Sequence, residues 1–182
     1  MRIPVTRPLL AALRALTCLL AMSAATVRAD EVSDVNQLFH TGKPAEALAR
    51  ADQVIAAAPN NAQMRFLKGV MLTDLGRLPE AIDIFTRLTQ DYPELPEPFN
   101  NLAAVHAAQG QYQDARIALE TAVRNNPGYA TANENLGDVY AKLASQAYER
   151  SIALDSQNVS AAGKLELIRR SFKPVNPAAA TP

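Results

Sequence analysis

The stretch PEPFNNLAAVHAAQGQYQDARIALETAVRNNP, residues 96–127, decides the fold. It reads as two helices, with Leu102 and Ala103 on the first and Tyr112, Ala115, Leu119 and Ala122 at helical spacing on the second. Gly110 divides them, a residue free to take a positive φ where a helix must stop. Pro127 closes the stretch and is the last of three prolines, with Pro59 and Pro93, set 34 residues apart. Each lies just past an apolar helical run. A period of that length is too long for a coiled coil and fits a helix–turn–helix unit stacked on copies of itself.

Working outward, the copy over residues 62–95 is the clearest. Its first helix, about 62–75, places Phe66, Leu67, Val70, Met71 and Leu75 at helical spacing, with Gly69 where a close neighbour would exclude a larger side chain. Gly76 ends it. Its second helix, about 79–90, opens on Pro79, whose missing N–H costs nothing in a first turn. Ala81, Ile82, Phe85 and Leu88 form the inner stripe of that helix. An earlier, partial copy shows Leu38, Gly42, Ala47, Ala51 and Pro59, with Pro44 opening its second helix. A fourth begins with Asn135, Leu136, Gly137 and Tyr140.

These marks resemble the tetratricopeptide repeat. Its usual signs are Leu-Gly in the first helix, Gly at the turn, Ala and an aromatic in the second helix, and Pro at the end. Here they read Lys68-Gly69, Gly76, Ala81, Phe85 and Pro93, with Lys68 a local departure from the leucine. The resemblance covers roughly residues 31–156. It implies an all-α, right-handed superhelical array of helical hairpins that acts without catalysis by presenting a surface to a protein partner. The repeats fall at about 31–61, 62–95, 96–129 and 130–156.

The fourth repeat departs from the pattern. A Gly-x-Tyr turn is wanted near residue 144, and the chain reads Lys142-Leu143-Ala144-Ser145-Gln146-Ala147-Tyr148 instead. Aligning Tyr148 and the Asp155-Ser156 end with the family's aromatic and proline leaves about five residues missing from the turn. Either the two helices fuse over some 24 residues or Ser145 marks a very tight reversal. The fused helix is the favoured reading, because nothing in 130–154 is a strong helix breaker except Gly137, which is tolerated at modest cost. Such a helix exposes an apolar stripe unless residues 159–172 fold back on it or another chain covers it, so a homodimer through this element is expected as an alternative role. Residues 159–172 read as a capping helix, with Ala162, Leu165 and Ile168 apolar and Arg169-Arg170 in its last turn. Residues 173–182, Pro/Ala-rich, read as a disordered tail.

Residues 1–29 carry Arg2, Arg7, Arg14 and Arg28, no acidic residue, and an apolar core densest at 15–22. The small or modest residues Val27 and Ala29 precede Asp30. This is the layout of a secretory signal peptide cleaved after Ala29. The uninterrupted apolar run is far short of the roughly 20 residues a membrane span needs. Cys18 is the only cysteine; it follows Ala15-Leu16-Thr17 and is followed by more apolar residues, so a lipoprotein box is the weaker reading. With the leader and its family resemblance, the chain is expected to be a small periplasmic protein of Gram-negative bacteria.

The whole chain balances 18 basic against 18 acidic residues, and removal of 1–29 leaves 14 against 18, a net of −4 over 153 residues. With no Lys/Arg cluster, nucleic acid and anionic lipid are poor partners. His40 and His106 are the only histidines and sit in different repeats; with no cysteine left, zinc and haem lack their usual ligands, and no cofactor is expected. Scattered carboxylates and the absence of a phosphate loop give no enzyme signature.

The family lines a concave groove with the first helix of each repeat. Carried over residue by residue, that implies Gln63, Phe66, Leu67, Val70 and Asp74 in the second repeat. The third supplies Glu97, Asn100, Asn101, Ala104 and Ala108, and the fourth Thr131, Glu134, Asn135, Asp138 and Lys142. Asn101 and Asn135 are 34 apart, which would set two amides in register to hold the backbone of an extended peptide. The family's basic clamp for a C-terminal carboxylate is missing, since Glu97, Glu134 and Asp138 would repel one. A neutral or basic segment, or a partner helix, is the expected occupant.

Overall fold

Residues 31–172 are described by the computed structural model, in which the leader and the tail read from the sequence lie outside the described residues. Among the described residues every regular element is helical. The chain divides into two bodies, one ending at Arg77 and one beginning at Leu78. The first holds α1 (described over 31–40), α2 (Pro44–Ala57) and α3 (Ala62–Asp74). The second holds α4 (Leu78–Asp91), α5 (Pro96–Ala108), α6 (Tyr112–Asn125), α7 (Ala130–Leu154) and α8 (Val159–Ser171). This is the expected all-α array of helical hairpins, ending in a long helix and a cap.

Three glycines 34 residues apart end α1, α3 and α5. Gly42, Gly76 and Gly110 have φ of 79°, 70° and 74°, and no other described residue has a positive φ. Each closes the helix before it with the same pair of bonds. At the third turn the Gly110 N–H donates to the Ala107 carbonyl at 2.9 Å and the Gln111 N–H to that of His106 at 2.9 Å. At the second, Arg77 N–H reaches back to Leu72 at 2.9 Å. A side chain in the left-handed region costs about 1–2 kcal/mol, so glycine fits here where other residues do not.

Small residues then let the reversed helices close. In the first body Ala47, Ala51 and Val54 of α2 pack with Val35 of α1 and with Met64 and Met71 of α3. In the second, Ala103 of α5 meets Ala115, Ala118, Leu119 and Ala122 of α6, and the same cluster takes in Ala132 and Val139 of α7. Pro44 and Pro96 start α2 and α5 at positions with no intrahelical N–H bond to lose. Asn61 and Asn158 cap α3 and α8, their side-chain oxygens accepting from Met64 N at 3.0 Å and Ala161 N at 2.9 Å.

The fourth repeat does fuse. Ala144 stands 34 residues after Gly110, keeps the helical conformation, and α7 runs unbroken for 25 residues, about 37 Å at 1.5 Å per residue. Ser145 turns nothing; its hydroxyl donates to the Ala141 carbonyl at 2.9 Å, inside the helix. Only Ala132 and Val139 of α7 are buried, both in its first half. Helix α8 folds back along the second half and buries Ala161 and Leu165. Asn158 donates to Ser151 at 3.1 Å, Arg169 pairs with Glu149 at 3.0 Å, and the Lys142 ammonium lies 4.6 Å from the centre of the Phe172 ring. The cap is therefore where the sequence places it.

Two glycine substitutions separate turn from helix. Gly110→Ala is expected to lower unfolding free energy by about 1–2 kcal/mol, because alanine resists the positive φ. Gly163→Ala, in α8 with open space at its Cβ position, is expected to raise it by about 0.5–1 kcal/mol. Urea titration followed by circular dichroism checks both.

Candidate partner-binding face

Within the second body, the expected groove residues fall on α5 and on the first half of α7. Both helices pack on α6, and they touch each other directly. Asn100 is 6% exposed and turned toward α7. The Asn135 amide nitrogen donates to the Asn100 side-chain oxygen at 2.9 Å. Around this bond Glu97, Ala104, Thr131, Glu134 and Asp138 are exposed. Glu97, Glu134 and Asp138 have no cationic partner among the described residues, so the face is acidic.

Asn101, the amide set 34 residues before Asn135, donates its side chain to the carbonyl of Glu97 in its own helix at 3.0 Å. Equivalent positions on successive helices point the same way, not at each other. The α5 side chain that faces α7 lies one residue earlier, at Asn100, 35 residues before Asn135.

The α3 residues belong to the first body. Gln63 and Asp74 are exposed there, whereas Phe66, Leu67 and Val70 are half-buried. Leu67 packs against the core of that body, so much of the apolar patch read from the sequence is structural. Ala108 is exposed, and Lys142 is exposed but engaged with Phe172. His106 is half-buried with its Nδ1 2.7 Å from the Gln111 side-chain oxygen, a turn contact and not a reactive pair. Among the described residues no group of three or more His, Cys, Asp or Glu could hold a metal ion. No described helix is long and apolar enough to cross a membrane.

Two polar features were not legible as such in the sequence. Tyr129 packs against the α5–α6–α7 core, and burial, followed by the field of Glu97, raises its phenol above the ordinary range. On another side of α7, the Tyr140 hydroxyl donates to Glu120 of α6 at 2.9 Å, and Arg116 donates to the same carboxylate oxygen at 2.7 Å. The Tyr140 hydrogen bond, and then that of Arg116, hold the Glu120 carboxyl below its usual range. Glu120 in turn raises Tyr140.

A tetratricopeptide repeat model matches residues 36–96 and 100–158. The chain belongs to the tetratricopeptide repeat family, whose fold is typical of non-enzymatic protein- and peptide-binding scaffolds. No curated protein sequence matches it. Among solved structures it is similar to MamA, at 22% identity and a TM-score of 0.60 over 79% of this chain and 81% of that one. It is similar to TTC0263, a protein of Thermus thermophilus, at 19% identity and a TM-score of 0.58, covering 80% and 82%. It also resembles the second tetratricopeptide domain of human RPAP3 in complex with an HSP70 peptide, at 21% identity and a TM-score of 0.57, covering 63% and 97%. At these identities the likeness is one of fold.

The Glu120 contacts give a signed expectation. A lowered carboxyl favours the folded state above the ordinary glutamate range, and that contribution is lost as pH falls through the depressed folded value. Tyr140→Phe removes the largest cause. The Glu120 side-chain carbon resonance should then titrate at higher pH than in the unmodified protein; an unchanged midpoint would show that the Tyr140 bond does not hold in solution.

Proposed function

We propose that the protein is a periplasmic scaffold of the bacterial cell envelope that holds an extended, neutral or basic peptide segment across α5 and α7. The observation that carries this reading is the Asn135–Asn100 bond. It uses one N–H of Asn135 and one lone pair of the Asn100 oxygen, and leaves the Asn100 nitrogen and the Asn135 oxygen with no other partner among the described residues. One donor and one acceptor side by side complement a single peptide group without selecting its side chain.

Charge selects what the amides do not. Glu97, Glu134 and Asp138 surround the pair and favour lysine or arginine in the occupant. The human RPAP3 complex holds an HSP70 peptide ending in Glu-Glu-Val-Asp; the same end brought to this face would meet three carboxylates and no clamp of bases. The envelope location is supported by the leader pattern of residues 1–29. A second reading, self-association, is favoured by the incomplete fourth hairpin.

Binding is tested by fluorescence anisotropy with two labelled peptide pools of one length, one rich in lysine and one in glutamate. The lysine pool should bind and the glutamate pool should not. Asn135→Ala should weaken binding about tenfold, and Asn101→Ala, which touches only its own helix, should change it little. Equal binding of both pools, or an Asn135→Ala variant that binds as well as the parent, overturns the reading.

Export has its own test. Protein recovered from the periplasmic fraction of a Gram-negative host should begin at Asp30 by mass spectrometry, and protein retaining Met1 in the cytosolic fraction contradicts it.

A further inference from the structure

We propose that a second copy of this chain completes the fourth hairpin: two α7 helices pair antiparallel, and each supplies the helix that the other's fourth repeat lacks. The proposal rests on the self-association reading and gives it a geometry.

The receiving side is present and empty-handed. In the preceding repeats the small residue of the first helix is enclosed, at Gly69 and, fully buried, at Ala103. Gly137, 34 residues after Ala103, is exposed, and no atom lies within 4 Å of where a Cβ would stand. Tyr140 beside it is 47% exposed.

The donating side is present too. Ala81, Phe85 and Leu88 of α4, and Ala115, Leu119 and Ala122 of α6, follow one spacing and are all essentially buried. Ala144, Tyr148 and Ser151 repeat that spacing, but begin 29 residues after Ala115 where the period asks for 34, and none is buried. Gly137, Ala141, Ala144, Tyr148 and Ser151 lie along one face of one unbroken helix, spanning about 80° at 100° per residue. Donor and acceptor cannot meet within a single copy. Shortening a turn in this way is the circumstance that exchanges an element between copies.

The repeat fixes the register. Helices α5 and α6 reverse about Gly110, so Ala103 lies opposite the region of Ala118. Carried to the fourth repeat with five residues removed, Gly137 falls opposite the partner's residue 147. The two-fold axis then passes at residue 142, which is the midpoint of α7 over Ala130–Leu154. The two helices overlap along their whole length, about 37 Å.

Charge agrees with the antiparallel sense. The first half of α7, residues 130–141, carries Glu134 and Asp138 and no base. The arm from Lys142 to Phe172 carries five basic and three acidic residues, and three of its bases, Lys142, Arg150 and Lys164, have no acidic partner among the described residues, Lys142 and Lys164 lying over the rings of Phe172 and Tyr148. Antiparallel pairing sets the acidic half of each copy beside the basic arm of the other, a match of fields in which Glu134 and Asp138 stay off the Gly137 face; parallel pairing would set acid half beside acid half.

Analytical ultracentrifugation of the purified protein over the micromolar range should show a dimer. Gly137→Leu, which an isolated copy accommodates in open space, should leave helical circular dichroism intact and raise the dimer dissociation constant about a hundredfold. Inserting Gly-Gln-Tyr-Gln-Asp after Leu143 restores the 34-residue period and should give a folded monomer that still binds the lysine-rich peptide pool. In a Cys18→Ser background, spin labels at exposed Leu154 should lie about 36 Å or more apart in the dimer, and a separation under about 20 Å would mean parallel helices. A protein that stays monomeric sinks the self-association reading and this inference together. A dimer indifferent to both variants, or with close labels, overturns this inference alone.

Discussion

One constraint carries the architecture: the short turns that follow α1, α3 and α5 close only where a residue accepts a left-handed backbone. Gly42, Gly76 and Gly110 supply that residue at a fixed interval. What the reversal allows is close approach, because the facing positions are alanines and one glycine more often than leucines. Ala47, Ala51, Ala103, Ala115 and Ala122 are all fully buried. Each contributes little apolar area, so the stability of the array comes from the number of such contacts and from the larger anchors Phe85, Met64, Met71 and Leu119 set between them.

That constraint explains which parts of the protein could be read from its sequence. The hairpins were legible because glycine, alanine and proline recur in step, and each has one job in a helical turn. The fusion of α7 was legible for the complementary reason: Ala144 stands where a positive φ is required and cannot supply it cheaply. The amide contact was not. Whether Asn135 meets Asn100 or Asn101 depends on how α5 and α7 are rotated against α6, and a repeat period fixes equivalence of position without fixing that rotation. Phe66, Leu67 and Val70 could not be divided between core and groove from the sequence, since an apolar residue on a first helix serves both with the same chemistry.

Charge adds a division that the helical pattern hides. From Leu78 to Ala141 the chain carries nine acidic and three basic residues, and from Lys142 to Phe172 three acidic and five basic. The boundary falls in the middle of a continuous helix, where no change of fold marks it. In the first part three of the acids that lack cationic partners among the described residues, Glu97, Glu134 and Asp138, gather around the Asn100–Asn135 bond. In the second, bases accompany the cap. Net charge near zero for the whole chain therefore conceals two surfaces of opposite preference, and it is the local field that a partner meets.

The missing turn makes these surfaces part of one device. On the first half of α7, Thr131, Asn135 and Asp138 occupy one side of the helix, while Gly137, Tyr140 and Ala144 occupy a side roughly 150° away, at 100° per residue. A segment lying across α5 and α7 and a second α7 pairing at Gly137 would thus use different faces and would not compete. A dimer built this way presents two equivalent acidic faces, held by a stiff pair of helices and not by a flexible linker. For a partner carrying two basic segments at matching separation, the second contact becomes intramolecular, and weak single-site binding is converted into useful avidity. Loss of five residues from one turn would then have exchanged the end of a repeat array for a bivalent scaffold, with each remaining hairpin unchanged.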